Sequence, residues 1–272
     1  MTIEILTFGC DPEIFVQNTE GEICSAIGHF GGTKEKPKPI KILGEGFAVQ
    51  EDNVLVEFNI PPAKDADEFV EYVQKTIDVL SRRALRKGLS FRKESAFSLD
   101  PKHLTHPKAL VFGCDPDFNA YTGMPNPAPR ALDANLRSAG GHIAVGFTID
   151  RRAIPKEAHK NYGQHVIQQL DFLWGIPSLL LDEGEQRKQL YGKAGAFRLK
   201  PFGVEYRTLS NFWIFRPDIA KAMLNAAKKH NFMGYSPEMT NVEVGINTNN
   251  KEWALWCVKK YPELAWAMEF LK

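Results

Sequence analysis

Apolar residues follow two recurring patterns along the chain, one typical of strands and one typical of helices. Strands are predicted where apolar and polar residues alternate or where short apolar runs end at turn residues: 3–8, 12–17, 53–60, 90–96, 140–149 and a pair over 195–209. Helices are predicted where apolar residues recur every three or four positions: 65–87, 156–174, 216–230 and 250–271. No Ser/Gly linker or change of composition divides the chain, so the mixture predicts one α+β domain over residues 1–272.

Two segments show neither pattern. Residues 28–46 form a predicted loop rich in Gly, Pro and Lys, and residues 100–130 are irregular and rich in Pro. Long ordered loops in compact domains often carry function. The segment 28–46 is therefore a candidate functional loop.

The charge balance argues against a nucleic-acid-binding protein. The chain has 34 Lys and Arg residues against 33 Asp and Glu residues, and the basic residues are dispersed. A protein that binds nucleic acid mainly through phosphates would carry a concentrated basic surface. No direct nucleic-acid binding is predicted.

The sequence also argues against a membrane or secreted protein. No apolar run approaches the roughly 20 residues needed to cross a bilayer, and the first residues include acids where a signal peptide would be apolar. The cysteines form no Cys-x-x-Cys pair, which argues against a disulfide framework and a cysteine zinc site: Cys10, Cys24, Cys114 and Cys257. We therefore expect a cytoplasmic protein with reduced thiols and no membrane partner.

Acidic residues at alternate positions of the predicted strands share one face of a sheet. Asp11 and Glu13 are spaced in this way, and Glu57 lies inside an alternating strand pattern. Glu205 and Arg207 likewise share one face of a later strand. Taken singly, such residues are most often solvated or form surface ion pairs that contribute little to stability.

Other residues that could carry chemistry lie close to these strands. His142 follows two glycines at the start of an apolar strand, and Arg198 and Lys200 lie upstream of the Glu-x-Arg strand. A single histidine at such a place is usually structural and less often a ligand. If the strands assemble in one sheet, however, their side chains form a basin of carboxylates with one imidazole and a cationic rim. Mg²⁺ or Mn²⁺ suits such oxygen ligands, and arginines suit a transferring phosphoryl group.

Several common catalytic motifs are absent from the sequence. It contains no Gly-x4-Gly-Lys-Ser/Thr phosphate loop, no Gly-x-Gly-x-x-Gly opening a helix, no His-Glu-x-x-His and no Gly-x-Ser-x-Gly. The absence of these motifs argues against a dehydrogenase, a P-loop ATPase, a zinc protease or a serine hydrolase. Any ATP would be bound through metal ions and arginines.

One short segment occurs twice: FGCDPE at residues 8–13 returns as FGCDPD at residues 112–117. Two turns that share the Asp-Pro dipeptide would explain part of this identity. Nothing around the two copies extends the repeat, so the chain is not a solenoid.

Six segments, in this order, resemble the phage-type carboxyl-to-amine ligases, or amidoligases, of the glutamine-synthetase-like fold: GCDPEIFV (9–16), GGTKEKP (31–37), VEFNIPP (56–62), FGCDPDFNAYTG (112–123), RSAGGHIAVGF (137–147) and YGKAGAFRLKPFGVEYRTLSNFW (191–213). The wider superfamily includes glutamine synthetase and glutamate-cysteine ligase. The resemblance implies a curved antiparallel sheet backed by helices. It also implies an ATP-dependent enzyme that joins a carboxylate to an amine through an acyl phosphate.

The resemblance further implies roles for individual residues. The implied metal ligands, for Mg²⁺ or possible Mn²⁺, are Glu13, Glu57, His142 and Glu205. The implied contacts to the phosphates and the transferring group are Arg198 and Arg207, and Lys200 and Lys34 are added as further candidate ATP contacts. Asp11 stands where some superfamily members have glutamate, and its shorter reach makes direct ligation less certain than at Glu13. It is instead a candidate to accept a proton from the attacking ammonium.

The substrates stay open at this stage. The acid could be an amino acid, a cell-wall peptide carboxylate, or a modified protein or nucleotide, because no identified residue reads a side chain. The loop 28–46 could close over the acyl phosphate or could be a solvated lysine loop, and Asp115 and Asp117 are candidates for the substrate side. The oligomeric state is open too, since four tryptophans suit either the core or an interface: Trp213, Trp253, Trp256 and Trp266.

Two other functions fit the same residues. One is a phosphotransferase on the same fold, as in guanidino kinases, which would release a phosphorylated product. The other is a catalytically inert phage binding module, which would show gaps in the metal-ligand set. That set is filled in this sequence, which favours the ligase.

Overall fold

A computed structural model describes residues 1–110, 117–127, 133–184, 186–187, 190–234 and 239–271. The strands in these ranges are β1 Ile3–Cys10, β2 Glu13–Gln17, β3 Ile23–Cys24, β4 Lys38–Pro39, β5 Ala48–Asp52, β6 Leu55–Asn59, β7 Ser90–Arg92, β8 Ala96–Ser98, β9 Phe118–Asn119, β10 Leu136–Ser138, β11 Ile143–Ile149, β12 Ala196–Lys200 and β13 Gly203–Tyr206. The α-helices are α1 Ala66–Leu85, α2 Pro107–Leu110, α3 His159–Leu170, α4 Ile176–Leu181, α5 Pro217–Lys229, α6 Met239–Asn247 and α7 Lys251–Lys260. None of these helices is both long and apolar enough to cross a bilayer.

Two antiparallel sheets dominate the fold. The first has the strand order β1-β11-β13-β12-β9, and the second has the order β3-β2-β6-β5-β4, with β7 also paired to β2. A separate two-stranded ribbon joins β10 to β8. These curved antiparallel sheets and their helices confirm the predicted α+β class.

The chain passes from the first sheet to the second through a two-residue junction. β1 pairs with β11 in the first sheet, and β2 pairs with β6 in the second. At the junction the Asp11 amide donates a hydrogen bond to the His142 carbonyl, and the Glu13 amide donates one to the Gly140 carbonyl. Asp11 and Glu13 therefore lie where the two sheets meet.

Helices cover one face of the first sheet and form the main apolar core with it. Phe8 of β1 is fully buried, and its ring packs against Phe69 of α1 and Trp174 between α3 and α4. A β-bulge between Ile5 and Thr7 changes the strand parity, so that Phe8 points into the core. Helix α1 begins after Asp65, whose carboxylate accepts a hydrogen bond from the Glu68 amide.

Some predicted elements differ in extent from those observed. The predicted strand 90–96 is two short strands, β7 and β8, and the predicted helix 250–271 changes at Pro262 from α7 to a 3₁₀ helix over Pro262–Phe270. Proline lacks the amide that would continue the α-helical hydrogen bonds. The predicted helix 156–174 runs on to Leu181 through a π-helical segment, Asp171–Gly175.

Other elements were not predicted at all. β5 was missed because its sequence, AVQED, contains only two apolar residues. Helix α6 was missed because its sequence, MTNVEVGIN, has β-branched residues and a glycine, which favour a helix less than other residues do. Within the predicted loop 28–46, residues 38–39 form β4.

Replacing Phe8 with Ala should lower the free energy of unfolding by about 3–5 kcal/mol, because the fully buried ring would leave a cavity between α1 and Trp174. Leu6→Ala on the same strand is the control: Leu6 is 43% exposed, so its loss should change stability by about 0.5 kcal/mol or less. Urea denaturation measures both. Equal losses of stability in the two variants would contradict the change in strand parity at the bulge.

Candidate active site

A cavity of about 450 Å³ opens at the junction of the two sheets. We call it the charged cavity, and it is lined by Asp11, Glu13, Lys34, Pro37, Ala48, Gln50, Asp52, Glu57, Asn59, His142, Arg198, Lys200 and Arg207. All the predicted metal ligands, phosphate contacts and the predicted proton acceptor line it, except Glu205. Acidic and basic side chains from separate segments therefore meet in one space.

Three carboxylates from neighbouring strands of the second sheet form one cluster in this cavity. Glu13 of β2 lies directly opposite Glu57 of β6, which in turn lies opposite Gln50 of β5. Asp52 is two residues beyond Gln50 and therefore points to the same side of β5. Ligand oxygens of Glu13, Asp52 and Glu57 all lie within 4.8 Å of one another. We call these three residues the Glu13 cluster.

A second group, the Asp11 cluster, consists of Asp11, His142 and Glu205, whose ligand atoms also lie within 4.8 Å of one another. Glu205 lies on β13 opposite Ala144 of β11, one strand away from His142 at the start of β11. The His142 Nδ1 atom lies 3.9 Å from an Asp11 carboxylate oxygen. Glu205 is fully buried, and His142 is 6% exposed.

Two glycines allow the His142 ring and the neighbouring backbone to pack closely. A Cβ atom on Gly140 would lie 2.3 Å from His142 Nε2, and one on Gly141 would lie 2.0 Å from the Ser210 carbonyl oxygen. The Trp213 indole N–H donates to the Gly141 carbonyl at 3.1 Å. A side chain at either position would collide with these atoms, so the arrangement requires glycine.

Glu13 is fixed by hydrogen bonds from two directions. The Gly140 amide donates to its carboxylate at 2.7 Å. The Asn211 side-chain amide donates to its backbone carbonyl at 3.0 Å and to the Glu94 carbonyl at 3.2 Å. These bonds hold the Glu13 backbone and carboxylate at the sheet junction, where Glu13 lines the charged cavity.

Three cationic side chains of the described residues contact Glu205. Arg207 and Lys200 each contact one of its carboxylate oxygens directly. Arg198 lies opposite Glu205 in the β12–β13 register, with its Nη1 atom 3.8 Å away. Arg207 Nη1 also lies 3.2 Å from His142 Nδ1. The positive charge of the site is thus concentrated on the Asp11 cluster.

Burial, and after it the charges of neighbouring acids, raises the pKa of the other carboxyl groups. Burial, followed by the charge of Glu205, raises the pKa of Asp11 well above its usual value. Burial, followed by the charge of Asp52, raises the pKa of Glu13 to about 7. Burial, followed by the charges of Asp11 and Glu13, raises the pKa of Glu57 well above its usual value. These carboxylates repel one another and lack sufficient positive charge.

The pKa values of Glu205 and His142 are lowered instead. Burial alone would raise the pKa of Glu205, but Arg207 and Lys200 outweigh burial and lower it. Burial, followed by the charge of Arg207, lowers the pKa of His142 well below its usual value. Glu205 is therefore an anion and His142 is neutral near pH 7, and both are the forms that bind a metal ion.

The donor set of the two clusters fits a hard divalent cation. Each cluster supplies carboxylate oxygens, and the Asp11 cluster adds one neutral imidazole. Mg²⁺ and Mn²⁺ are the metals that this combination suits. A cation would also relieve the repulsion that raises the pKa of Asp11, Glu13 and Glu57.

Two further cavities adjoin the charged cavity. One has a volume of about 470 Å³ and is mainly apolar away from Thr7, Glu205 and the shared residues Asp11, Asn59 and Lys200; its other walls include Cys10, Ile60, Pro62, Ala144 and Phe202. The other has a volume of about 50 Å³, shares Glu13, Asp52, His142 and Arg207, and continues to Arg137, Arg187 and Tyr191. The charged cavity thus has an apolar neighbour and a neighbour lined by arginines.

The loop 28–46 is anchored at several points. The Glu51 carboxylate accepts hydrogen bonds from three backbone amides, those of Gly28, Phe30 and Gly31. Farther along the loop, β4 pairs with β5. Lys34 lies between these anchors and lines the charged cavity. We expect any closure of the loop to be confined to the residues around Lys34.

The structure brings the predicted metal ligands, phosphate contacts and proton acceptor to one place, and their catalytic and ligand roles stay predictions. They are Asp11, Glu13, Lys34, Glu57, His142, Arg198, Lys200, Glu205 and Arg207. Cys114 and Asp115 lie outside the described residues, whereas Cys10, Cys24 and Cys257 are buried free thiols. Asp117 is described, and its carboxylate lies 3.5 Å from Arg207 Nε.

Sequence reasoning missed two residues of the site, Asp52 and Arg187. Asp52 ends the unpredicted strand β5, and the signal for it was the hairpin turn at Asn53, which has a φ of 52°. The hairpin register would have placed Asp52 beside Glu57. Arg187 is 3% exposed and donates to the Thr208 carbonyl at 2.9 Å. No motif or periodicity marked it.

Part of the chain matches a family of ligases. The family is described as "Phage phiEco32-like COOH.NH2 ligase-type 2", and residues 138–232 match its model. This segment contains His142, Arg198, Glu205 and Arg207. The match confirms the predicted resemblance over that segment. No curated protein matches the sequence significantly.

A solved structure shows a related fold. A bifunctional glutathione synthetase from Pasteurella multocida is similar at a TM-score of 0.56 and 14% identity, over 98% of this chain and 46% of that chain. This chain therefore spans less than half the length of that protein, and the likeness shows a shared fold. A GmaS/ADP complex is less similar, with a TM-score of 0.47 and 12% identity over 99% of this chain and 68% of the other.

Without divalent cations, stability should fall as pH rises from the usual glutamate pKa of about 4.5 to about 7. A raised pKa means that the folded protein keeps protons that the unfolded chain has already lost, so stability is greatest below 4.5 and decreases through this window. Each unit of pKa shift corresponds to about 1.4 kcal/mol, or roughly 2–4 °C in melting temperature.

Glu57→Gln tests this origin of the pH dependence, because an amide does not ionise. The variant should melt several degrees above the wild type at pH 8 and close to it at pH 5. Thermal denaturation in chelator-treated buffer measures the difference. If the melting temperatures of the two proteins changed in parallel with pH, the assignment of this pH dependence to Glu57 would be contradicted.

Proposed function

We propose that this protein is an ATP-dependent carboxylate–amine ligase that forms an amide or peptide-like bond through an acyl phosphate. The observation that carries the proposal is the charged cavity, where two clusters of metal-type ligands lie beside Arg198, Lys200 and Arg207. The family match over residues 138–232 supports the reaction class.

The two clusters would bind Mg²⁺ or Mn²⁺, with Glu13, Glu57, His142 and Glu205 as the principal ligands. When bound, such ions supply the positive charge that offsets the ATP phosphates. Asp52 completes the Glu13 cluster. Because Arg207 Nη1 lies 3.2 Å from His142 Nδ1, a cation at that nitrogen would compete with the guanidinium.

Arg198, Lys200 and Arg207 would contact the phosphates of ATP, and Lys34 faces them from the loop. A carboxylate oxygen of the acid attacks the γ-phosphorus, the bond to the bridging oxygen breaks and ADP leaves. The guanidinium groups stabilise negative charge on the transferring phosphoryl group. Glu205 keeps Arg207 in place through their direct contact.

The acyl phosphate then reacts with the amine. The amine nitrogen attacks the acyl carbon, the amide bond forms and inorganic phosphate leaves. Asp11 is the candidate to accept the proton that the amine loses, since its raised pKa favours proton binding. Its place in the Asp11 cluster makes metal ligation the competing role.

The neighbouring cavities support an arrangement of the two substrates. The apolar cavity of about 470 Å³ is large enough for a nucleoside and opens beside Lys200. The cavity lined by Arg137, Arg187 and Arg207 has a volume of only about 50 Å³, so it would admit the carboxylate group of an acid substrate and not the whole molecule. ATP and the acid would thus approach the charged cavity from different sides.

A phosphotransferase is the second candidate, because the same cavity would serve transfer to an acceptor without a later amide bond. The products distinguish the two reactions: a ligase releases free phosphate only when an amine is present or water intrudes, and a kinase retains the phosphoryl group on its product. An inert binding module is disfavoured by the filled ligand clusters.

Mg²⁺ with a nonhydrolysable ATP analogue should raise the melting temperature of the wild type. A ligand at about 100 times its dissociation constant stabilises by about 2.7 kcal/mol, a shift of several degrees. Glu57→Gln should lose most of the shift. Glu71→Gln is the matched control, because Glu71 is 56% exposed on α1. The absence of any shift in the folded wild type would contradict the proposal.

Arg207→Lys should lower kcat for ADP release by about 10³-fold or more, since lysine keeps the charge but cannot contact Glu205 and the phosphoryl group together. The assay screens acids and amines for coupled release of ADP and phosphate, with the amide identified by mass spectrometry. A phosphorylated product without amide would favour the kinase.

A further inference from the structure

Asp171 is a buried carboxylate that does not line the charged cavity. It begins the π-helical segment between α3 and α4. Its Oδ1 atom accepts hydrogen bonds from the Tyr206 hydroxyl at 2.7 Å and the Thr208 hydroxyl at 3.1 Å. Its Oδ2 atom accepts from the Gly195 amide at 2.6 Å and the Tyr121 hydroxyl at 3.0 Å. One side chain therefore joins three segments that are distant in sequence.

Two of these segments carry the arginines of the charged cavity. Tyr206, the last residue of β13, and Thr208 flank Arg207, and alternation along the extended chain directs their side chains away from the side that Arg207 faces. Gly195 immediately precedes β12, which carries Arg198. The four hydrogen bonds thus fix the backbone on both sides of Arg207 and at the start of the neighbouring strand.

The third segment carries Asp117. The Asn119 side chain accepts a hydrogen bond from the Tyr121 amide at 2.7 Å, which folds the segment into a turn. The Ala120 amide donates to the Gly195 carbonyl at 2.8 Å. This turn places the Asp117 carboxylate 3.5 Å from Arg207 Nε. The hydrogen bond between Asp171 and Tyr121 therefore also affects the position of Arg207, through Asp117.

Two glycines provide the space for this network. A Cβ atom on Gly175 would lie 2.9 Å from the Tyr206 hydroxyl, and one on Gly195, where φ is +73°, would lie 2.7 Å from the Tyr121 ring. Gly175 ends the π-helical segment that Asp171 begins. π-Helical turns inside helices occur frequently at functional sites.

We propose that Asp171 is a positioning residue, which fixes the position of the Arg207 guanidinium from behind the sheet. It acts through its hydrogen bonds to Tyr206, Thr208, Gly195 and Tyr121. A carboxylate suits this place because the Tyr206 and Tyr121 hydroxyls and the Gly195 amide all donate to it, and an acceptor-only group satisfies them. The single Thr208 hydroxyl proton is shared between Asp171 and the Lys193 carbonyl, which lies 3.0 Å away. An asparagine of the same size would turn an N–H group towards two of the donors.

Asp171→Asn should weaken binding of Mg²⁺ with a nonhydrolysable ATP analogue by roughly 10- to 100-fold in titration calorimetry, the usual effect of removing a group that orients a site from outside it. Gln169→Leu is the matched control. Gln169 is a 1% exposed polar residue of the same helix that contacts His230, so its loss should cost stability and leave binding unchanged. Equal binding by wild type and Asp171→Asn would overturn the proposal.

A double-variant cycle separates positioning from general destabilisation. In an Arg207→Lys background, Asp171→Asn should cause little further loss of analogue binding, while its effect on melting temperature persists. Coupled residues give non-additive effects, and independent residues give additive ones. Additive losses of binding would overturn the proposal.

Tyr121→Phe is the alternative test variant if Asp171→Asn does not fold. It removes only the single hydrogen bond that the half-buried Tyr121 side chain donates to Asp171. Its crystal structure should show Asp117 moved away from Arg207, and an unchanged separation would overturn the proposal. This readout needs no nucleotide. The calorimetric readout rests on the proposed function, and failure of the wild type to bind the analogue would count against that function alone.

Discussion

Repulsion among buried carboxylates is the constraint on which the rest of this structure depends. Asp11, Glu13, Asp52 and Glu57 lie in one cavity. Burial raises the pKa of all four, and the charges of neighbouring acids raise it further in Asp11, Glu13 and Glu57. The contacts of Arg207 and Lys200 concentrate positive charge on Glu205 instead. Such an arrangement costs stability in the absence of a counterion. It is the arrangement expected where divalent cations and phosphates complete the charge balance.

The fold supports this arrangement from several directions. A bent chain carries Asp11 and Glu13 across the junction of two sheets, while glycines at 140 and 141 allow the His142 ring to pack against the backbone. Behind the first sheet, Asp171 accepts four hydrogen bonds from segments that also carry Arg207. Rigid support of this kind is what an electrostatic site needs, because its groups must be in place before the charge develops.

The sequence was most informative where chemistry and periodicity coincided. Strand parity placed Glu205 and Arg207 on one face, and Tyr206 on the other, as observed. The family resemblance joined residues that periodicity alone could not bring together. Asp52 was not predicted as a site residue because β5 has few apolar residues. Arg187 was not predicted because a lone arginine outside regular elements carries no pattern. The π-helical segment at Asp171 was not predicted either; its first and last residues, Asp171 and Gly175, both lie against the Tyr206 hydroxyl, a tertiary contact that periodicity does not show.

Anomalous scattering from crystals soaked with Mn²⁺ and a nonhydrolysable ATP analogue tests the central claim most directly. We expect manganese density at Asp11, His142 and Glu205 and at Glu13, Asp52 and Glu57, with analogue phosphates near Arg198 and Arg207. Manganese that is absent from both clusters, or bound only elsewhere on the surface, would contradict that claim.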